Sequence, residues 1–303
     1  MCEDPAMSRD AHEFHQLTAP YHRELRVHCY RLLGSLTDAE DAVQETLLAA
    51  WRGLDDFEGR ASLRAWLYRI ATNRCLSELR SAKRRLPVAP VPPFEVPEPT
   101  SHSDITWLQP YPDDPAAQHE SREAVELAFI AALQHLPPRQ AAAVVLRDVL
   151  DFTLDEVASM LGTGTTAVKG ILQRARAALP APSARPTLDE ERDLARRFAE
   201  AFSADDVEGV VALLTDDAWL SMPPAPHAYR GREAIAAFLT ASATWRAGRH
   251  FRLVPTRANG QPAFVCHLDG EMTSAIVLTI TAPGIGAITH FLDETLAATL
   301  GTP

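Results

Sequence analysis

A proline-rich, acidic stretch near the middle of the chain constrains its folding more than any other feature. From Leu86 to His119 there are nine prolines and five acids, with no lysine or arginine. Proline fixes φ and removes a backbone donor, so helices stop and strand pairing fails at that density. The segment is expected to be extended or disordered. A shorter break, Pro180-Ala-Pro-Ser-Ala-Arg-Pro186, follows a helical run. Three folded blocks result, roughly 10–85, 120–182 and 187–303, which suits a chain of 303 residues when a domain takes about 100–200.

The first block reads as all helix. Thr37 and Glu40 form a capping box, each side chain satisfying an orphan N–H at a helix start. Ala39, Ala42, Val43, Leu47, Ala50 and Trp51 then recur at helical spacing. A second helix is expected from about Ser62 to Ala82, burying Leu63, Trp66, Leu67, Ile70 and Leu79. The second block ends in a helix-turn-helix pattern. Thr153 and Glu156 cap one helix, Gly162-Thr-Gly164 turns the chain, and a helix from about Thr166 to Leu179 buries Val168, Ile171, Leu172 and Ala175. The third block is mixed, with helices near 189–203, 207–214 and 231–241. Strands follow near 250–258, 262–269, 274–281 and 286–292, the first two joined by Asn259-Gly260, a type I′ hairpin signal. Helices first and an antiparallel meander after them argue for an α+β domain.

Charge is segregated along the chain. The net charge of −11 seems at first to exclude nucleic acid, but a local patch steers a protein to phosphates, not the average. Arg60, Arg64, Arg69, Arg74, Arg80, Lys83, Arg84 and Arg85 face one acid, Glu78, whereas Thr187–Asp217 holds ten acids and three arginines. Cys2, Cys29, Cys75 and Cys266 are scattered, without a C-x-x-C pair, as reduced thiols are. His12, His15, His22 and His28 crowd the first helical stretch without a cysteine or acid at structural-zinc spacing, so no metal is expected. No run approaches the roughly 18 apolar residues of a membrane span. MCEDPAMSRD does not resemble a signal peptide. A cytoplasmic protein without a cofactor is expected, since neither a Walker loop nor a Rossmann fingerprint is present.

Each helix surface leaves alternatives open. Asp41, Gln44, Glu45 and Leu48 share an acidic face with an apolar centre, suited to a protein partner or simply to water. Arg69, Asn73 and Arg80 lie close to one line, and their side chains suit phosphates and base edges. Phe57 and Trp66 are able to stack unpaired bases, with core packing the alternative for Trp66. Thr166, Lys169, Gly170, Gln173 and Arg174 face outward, where a recognition helix meets the major groove. Two amphipathic helices in an ordinary bundle give the same pattern.

The runs Asp38-Ala-Glu-Asp-Ala-Val-Gln-Glu-Thr-Leu-Leu-Ala-Ala-Trp-Arg52 and Ala65-Trp-Leu-Tyr-Arg-Ile-Ala-Thr-Asn-Arg-Cys-Leu-Ser-Glu-Leu-Arg80 resemble region 2 of the sigma-70 family, extracytoplasmic-function (ECF) group. Leu136-Pro-Pro-Arg-Gln140 with Val168-Lys-Gly-Ile-Leu-Gln-Arg-Ala-Arg176 resembles its region 4. The resemblance implies an all-α σ2 bundle and an all-α σ4 domain. Asp38, Asp41, Gln44, Glu45 and Leu48 would dock on the β′ clamp helices of core RNA polymerase, and region 4 would meet the β flap. Phe57, Arg64, Trp66, Arg69, Asn73, Arg74 and Arg80 would read and open a −10 promoter element. Opening is affordable where a pocket stacks and hydrogen-bonds a flipped base. Thr165, Thr166, Lys169, Gln173, Arg174 and Arg176 would bind a −35 element, and the acidic linker would thread the polymerase near its RNA path.

From about Thr187 the chain resembles the SnoaL-like branch of the NTF2-like fold, an α+β cone-shaped barrel. The cues are Phe198-Ala-Glu-Ala-Phe202, Leu214-Thr-Asp-Asp217, Gly231-Arg232 and Gly286-Ala-Ile-Thr-His-Phe291. The Asn259-Gly-Gln-Pro-Ala263 run sits where such tails of ECF sigma factors carry a comparable one. Enzymes of that fold use a cavity acid or histidine, for which Asp216, Asp217, His227, His267, Asp269 and His290 are available. The expectation is a non-enzymatic tail that packs on the sigma modules and modulates them, with ligand sensing and catalysis as alternatives. Its acidic segment would face the basic Arg60–Arg85 patch. Two rival readings are a helix-turn-helix repressor and a polyketide-cyclase-type enzyme.

Overall fold

In the computed structural model residues 5–55, 57, 61–81, 92–113, 126–180 and 184–301 are described. Cys2, Asp56, Glu58, Gly59, Arg60, Lys83, Arg84 and Arg85 lie outside them. The chain divides into two compact units, residues 1–84 with 132–180, and residues 85–131 with 181–303.

The first unit is helical. Helix α1 (Pro5–Thr18) and a 3₁₀ turn (Ala19–Tyr21) precede α2 (His22–Leu33), α3 (Leu36–Arg52) and α4 (Leu63–Ser81). Helix α2 ends at Gly34, whose φ of 71° is a left-handed conformation glycine adopts without a Cβ penalty. The chain leaves that turn extended, so Ser35, not Thr37, caps α3 by accepting from the Asp38 N–H at 3.2 Å. On α4 the buried stripe is Ala65, Leu67, Tyr68, Ala71, Thr72, Cys75 and Leu76. It is rotated from the expected one, leaving Leu63, Trp66, Ile70 and Leu79 half-buried.

Helices α5 (Leu127–Gln134) and α6 (Pro138–Val144), a π-helical turn (Val145–Val149), α7 (Leu154–Met160) and α8 (Thr165–Ala178) follow. Thr153 and Glu156 form the expected capping box. Tyr68 of α4 meets Phe152 edge-on, with ring centres 5.1 Å apart, and the Gln134 amide donates to the Leu32 carbonyl at 3.2 Å. The helix-turn-helix is therefore packed on the first bundle.

The second unit holds α9 (Leu188–Ser203), α10 (Val207–Ala212), β2 (Leu214–Met222), β3 (Ala225–Arg230), α11 (Arg232–Arg246), β4 (Phe251–Ala258), β5 (Gln261–Leu268), β6 (Glu271–Thr281), β7 (Gly284–Phe291) and α12 (Glu294–Gly301). Strand β1 (Ser101–His102) comes from the proline-rich linker, and the sheet order is β1-β3-β2-β7-β6-β5-β4. Among the described residues only β2 and β7 are paired in parallel. Alternation sends Phe264, Cys266, Ile276, Leu278 and Ile288 to the core with Phe198, Phe202, Ile235 and Phe238 of the helices. Asn259 and Gly260 both take positive φ, 57° and 68°, as a type I′ turn requires.

Residues 92–113 of the linker are extended, as expected, and form part of this unit. Thr100 and Ser103 bond to β3 on the sheet's first edge, at Ala228 and Pro226. At the opposite edge Tyr111 N–H donates to Asn259 Oδ1 and Asn259 N–H donates to the Tyr111 carbonyl, both at 2.8 Å. The Asp113 carboxylate accepts from Gly260 N–H at 2.7 Å and pairs with Arg257 at 3.4 Å. Ile105, Leu108 and Tyr111 between these anchors are buried. Residues 92–113 thus form a strap that runs from one sheet edge to the other.

Candidate nucleic-acid interface

Helices α3 and α4 frame an open groove of about 410 Å³ lined by Ala49, Trp66, Arg69, Ile70, Asn73, Arg74 and Ser77. Four of the residues expected at the −10 element, Trp66, Arg69, Asn73 and Arg74, therefore share one concave surface. Positions 69, 73 and 77 stand four apart, on one helical line, and that spacing was the available signal for Ser77. Arg69, Asn73 and Arg74 are exposed. The Asn73 amide donates to the Arg69 carbonyl at 2.8 Å, and Arg74 lies 3.7 Å from Glu45. Phe57 tilts over Trp66 with ring centres 4.8 Å apart. A stacking ring and forked or amide donors in one groove suit an unpaired base beside a phosphate chain.

The other two expected residues are placed differently. Arg64 is turned inward, donating to Glu24 at 3.2 Å and lying over the rings of Tyr68 and Phe152 at 4.9 and 4.7 Å. Burial acts against its charge, but Tyr68 and Glu24 hold its pKa above the ordinary arginine value. Arg80 folds back on its own helix, donating to the Leu76 carbonyl and the Ser77 hydroxyl, both at 3.1 Å.

On α3, Asp38, Asp41, Gln44 and Glu45 are exposed, and Leu48 is 55% exposed. Half-exposed Trp51 meets Phe14 edge-on at 5.1 Å. An acidic rim around an apolar centre is thus open on this unit. On α8, Thr166, Lys169, Gln173 and Arg174 are exposed and Thr165 is half-buried at the helix start. Arg176 forms a two-pronged pair with Asp148 at 2.5 and 2.9 Å, and these bonds raise its pKa. Within this unit its charge is already matched.

The tail residues considered for proton transfer do not converge. Asp216 is solvent-exposed and pairs with Arg232 at 3.2 Å, and Asp217 accepts from the Thr215 hydroxyl at 3.0 Å. Exposed Asp269 accepts from Arg249 and from the His250 N–H, the bonds that lower its pKa. His227 faces His102 of the strap, 6.2 Å between ring centres; desolvation and then His102 lower its pKa. His267 is half-buried on β5. His290 bonds Ser274 at 2.8 Å and is pushed down to about 4 by burial and then by Arg246. Burial pushes the neighbouring Cys266 thiol up to about 12, which removes it as a nucleophile.

Arg246 is the buried charge of this domain. Its guanidinium sits over Phe202 and Phe251 at 4.7 and 4.4 Å and pairs with Asp205 at 2.5 Å. Desolvation lowers its pKa against the opposing pull of Asp205. Removing one partner of such a pair costs more than replacing the charge by an apolar chain. Asp205 has a φ of 55° and a side chain 39% exposed, so Asp205→Asn keeps the backbone tolerable and the penalty shrinks to about 2 kcal/mol. Arg246→Met is expected to cost about 1 kcal/mol or less. Urea midpoints of both variants decide it, and equal losses would refute the buried-charge account.

Residues 17–85 match the Sigma-70 region 2 family, 126–179 match Sigma-70 region 4, and 195–292 match the SnoaL-like domain family. The chain is 42% identical to the ECF RNA polymerase sigma factor SigG of Mycobacterium tuberculosis over 320 aligned residues, covering 99% of this chain and 86% of the relative. It is 33% identical to SigJ of the same organism, over 69% of this chain and 67% of that protein. The crystal structure of Mycobacterium tuberculosis SigJ superposes with a TM-score of 0.62 at 22% identity, covering 94% of this chain and all of that one. At that identity the likeness speaks for the fold, helical modules followed by a mixed-sheet domain. Among the described residues no helix is long and apolar enough to cross a membrane. With 99% of its residues aligned to one such relative and the three family segments in order, the chain belongs to the sigma-70 family of RNA polymerase sigma factors, in the extracytoplasmic-function group, with a SnoaL-like C-terminal domain.

Proposed function

We propose that residues 10–85 bind core polymerase and the −10 element, that residues 120–182 bind the −35 element, and that residues 187–303 modulate initiation without catalysing a reaction. The observation that carries the reading is the groove where Trp66, Arg69, Asn73 and Arg74 meet. Exposed Asp38, Asp41, Gln44, Glu45 and Leu48 would meet the β′ clamp helices, and region 4 would meet the β flap, with Thr165, Thr166, Lys169, Gln173 and Arg174 at the duplex. Arg64 and Arg80 would act through neighbours, since their donors are already engaged within α2–α4. Arg176 would have to leave Asp148 to reach a phosphate. A non-catalytic tail is supported by the scatter of its acids and histidines, because a general base needs a partner within hydrogen-bond reach of a substrate. Its cytoplasmic location follows from the partner it would serve.

Run-off transcription with core polymerase on genomic fragments tests the reading. Specific transcripts are expected from the full chain, and Asp41→Ala/Glu45→Ala and Arg69→Ala/Asn73→Ala are each expected to lower them at least ten-fold. Loss of two charge-assisted contacts at about 1.5 kcal/mol or more each supports that magnitude. Transcripts that survive both double substitutions would refute the assigned surfaces.

A further inference from the structure

The strap enters an aromatic slot of the C-terminal domain. Phe94 lies 5.7 Å from Phe238 and 5.7 Å from Trp245, both on α11, and Tyr229 of β3 lies 5.1 Å from Phe238. Tyr229 is fully buried, and its hydroxyl donates to the Pro97 carbonyl at 2.8 Å. The slot therefore has three ring walls and one deep donor, occupied by a phenyl ring and a carbonyl oxygen. Both come from outside residues 195–292, the part that matches the SnoaL-like family.

The two ends of the strap are held differently. At its far end Tyr111 and Asn259 exchange two hydrogen bonds, and Asp113 adds a bond to Gly260 and an ion pair to Arg257. At the slot Phe94 and Val96 are only half-buried against the core. Opening that end needs no disruption of the Tyr111–Asn259 clip.

We infer that the slot is a binding site for a small aromatic molecule carrying a carbonyl or similar acceptor oxygen, and that Phe94 and Pro97 are its resident occupants. Three ring faces select a flat apolar ring. The Tyr229 hydroxyl, once Pro97 leaves, requires an acceptor because an unpaired buried donor is costly. The incoming molecule replaces Phe94 instead of adding to it, so binding lifts residues 94–98 while Tyr111–Asp113 stay clipped. The site lies within the C-terminal unit and is independent of how the promoter is read.

Benzophenone supplies two rings and a carbonyl, and cross-links to nearby C–H bonds on irradiation. In the full chain, Phe94→Ala is expected to bind it at least ten-fold more tightly than the unaltered protein, since an emptied apolar slot accepts a ring. Cross-links should fall on α11 and β3, and adding Trp245→Ala should abolish the gain. Adding Tyr229→Phe should weaken benzophenone but leave diphenylmethane, which lacks the carbonyl, unchanged. In the unaltered chain, benzophenone at concentrations that saturate cross-linking should raise hydroxyl-radical labelling of the half-buried Phe94 and Val96 and leave the Tyr111 amide, which donates to Asn259, protected from exchange. Equal affinity with and without Phe94, cross-links outside α11 and β3, or unchanged labelling in the unaltered chain would each overturn the inference. The labelling measurement stands even if Phe94→Ala fails to fold.

Discussion

A fragment of residues 187–303 is expected to be less stable by on the order of 5 kcal/mol than the same segment joined to residues 92–131. Three side chains of the strap, Ile105, Leu108 and Tyr111, are buried, and each large apolar side chain contributes about 1.5–3 kcal/mol. A compact unfolded chain reduces that sum, and the bonds of Thr100, Ser103, Tyr111 and Asp113 to the sheet restore part of it. Without the strap, β3 becomes an edge strand with unpaired backbone groups, which invites aggregation. Urea unfolding of the fragment against a version carrying 92–131 on a flexible linker measures the difference. Coincident midpoints, with both proteins monomeric, would show that the strap is decoration. The converse fragment, residues 1–186, keeps the strap but removes its seat. Any change in its promoter output therefore combines loss of the C-terminal domain with release of the acidic strap and exposure of Ile105, Leu108 and Tyr111.

The strap also marks where reading from sequence runs out. The prolines argued correctly for extended chain over residues 92–113, because proline acts locally through φ and the missing donor. What that extended chain would lie on depended on partners 132 and 148 residues away, Tyr229 for Pro97 and Asn259 for Tyr111, and no periodicity within residues 86–119 encodes them. Strands β2 and β3 escaped for a related reason. The Asp216–Asp217 pair interrupts the apolar run of β2, and both strands are held by neighbours distant in the chain, β7 and β1. The Asn259-Gly260 hairpin was readable because turn chemistry is local.

The helix caps show the same division. Thr37 with Glu40 was the expected start of α3, but the left-handed Gly34 ends α2 one residue before Ser35, and Ser35 takes the cap. At the candidate site, residue types and spacing singled out Trp66, Arg69 and Asn73, the resemblance added Arg74, and one groove is lined by all four. Neither signal showed that Arg64 would be drawn inward by Glu24 and by rings from two parts of the chain. A long cation reaches whichever acceptor is near, and only tertiary packing decides which acceptor that is.

Acidification from pH 7 to pH 4.5 is expected to weaken the first unit by about 3 kcal/mol through His28 alone. His28 is fully buried between α2 and α4; its Nε2 lies 2.9 Å from the Thr72 hydroxyl and its ring 4.9 Å from that of Tyr68. Its Nδ1 has no hydrogen-bond partner among the described residues. Desolvation first, then the charges of Arg31 and Arg64, push its pKa from 6.5 down to about 3. Below pH 6.5 the unfolded chain therefore binds a proton that the folded one refuses. Stability then falls with pH at up to about 1.4 kcal/mol per unit, until the folded-state value is reached. His290 in the second unit adds a smaller loss there, since it keeps some contact with solvent. Hydrogen exchange of α2 and α4 amides in the full chain, corrected for intrinsic pH dependence, reads the first unit separately. His28→Gln retains a partner for Thr72 and removes the titrating ring, so its opening free energy should flatten between pH 6.5 and 4.5 even if its overall stability is lower. The same slope in both proteins would mean that the acid sensitivity of this unit lies in its carboxylates and not in His28.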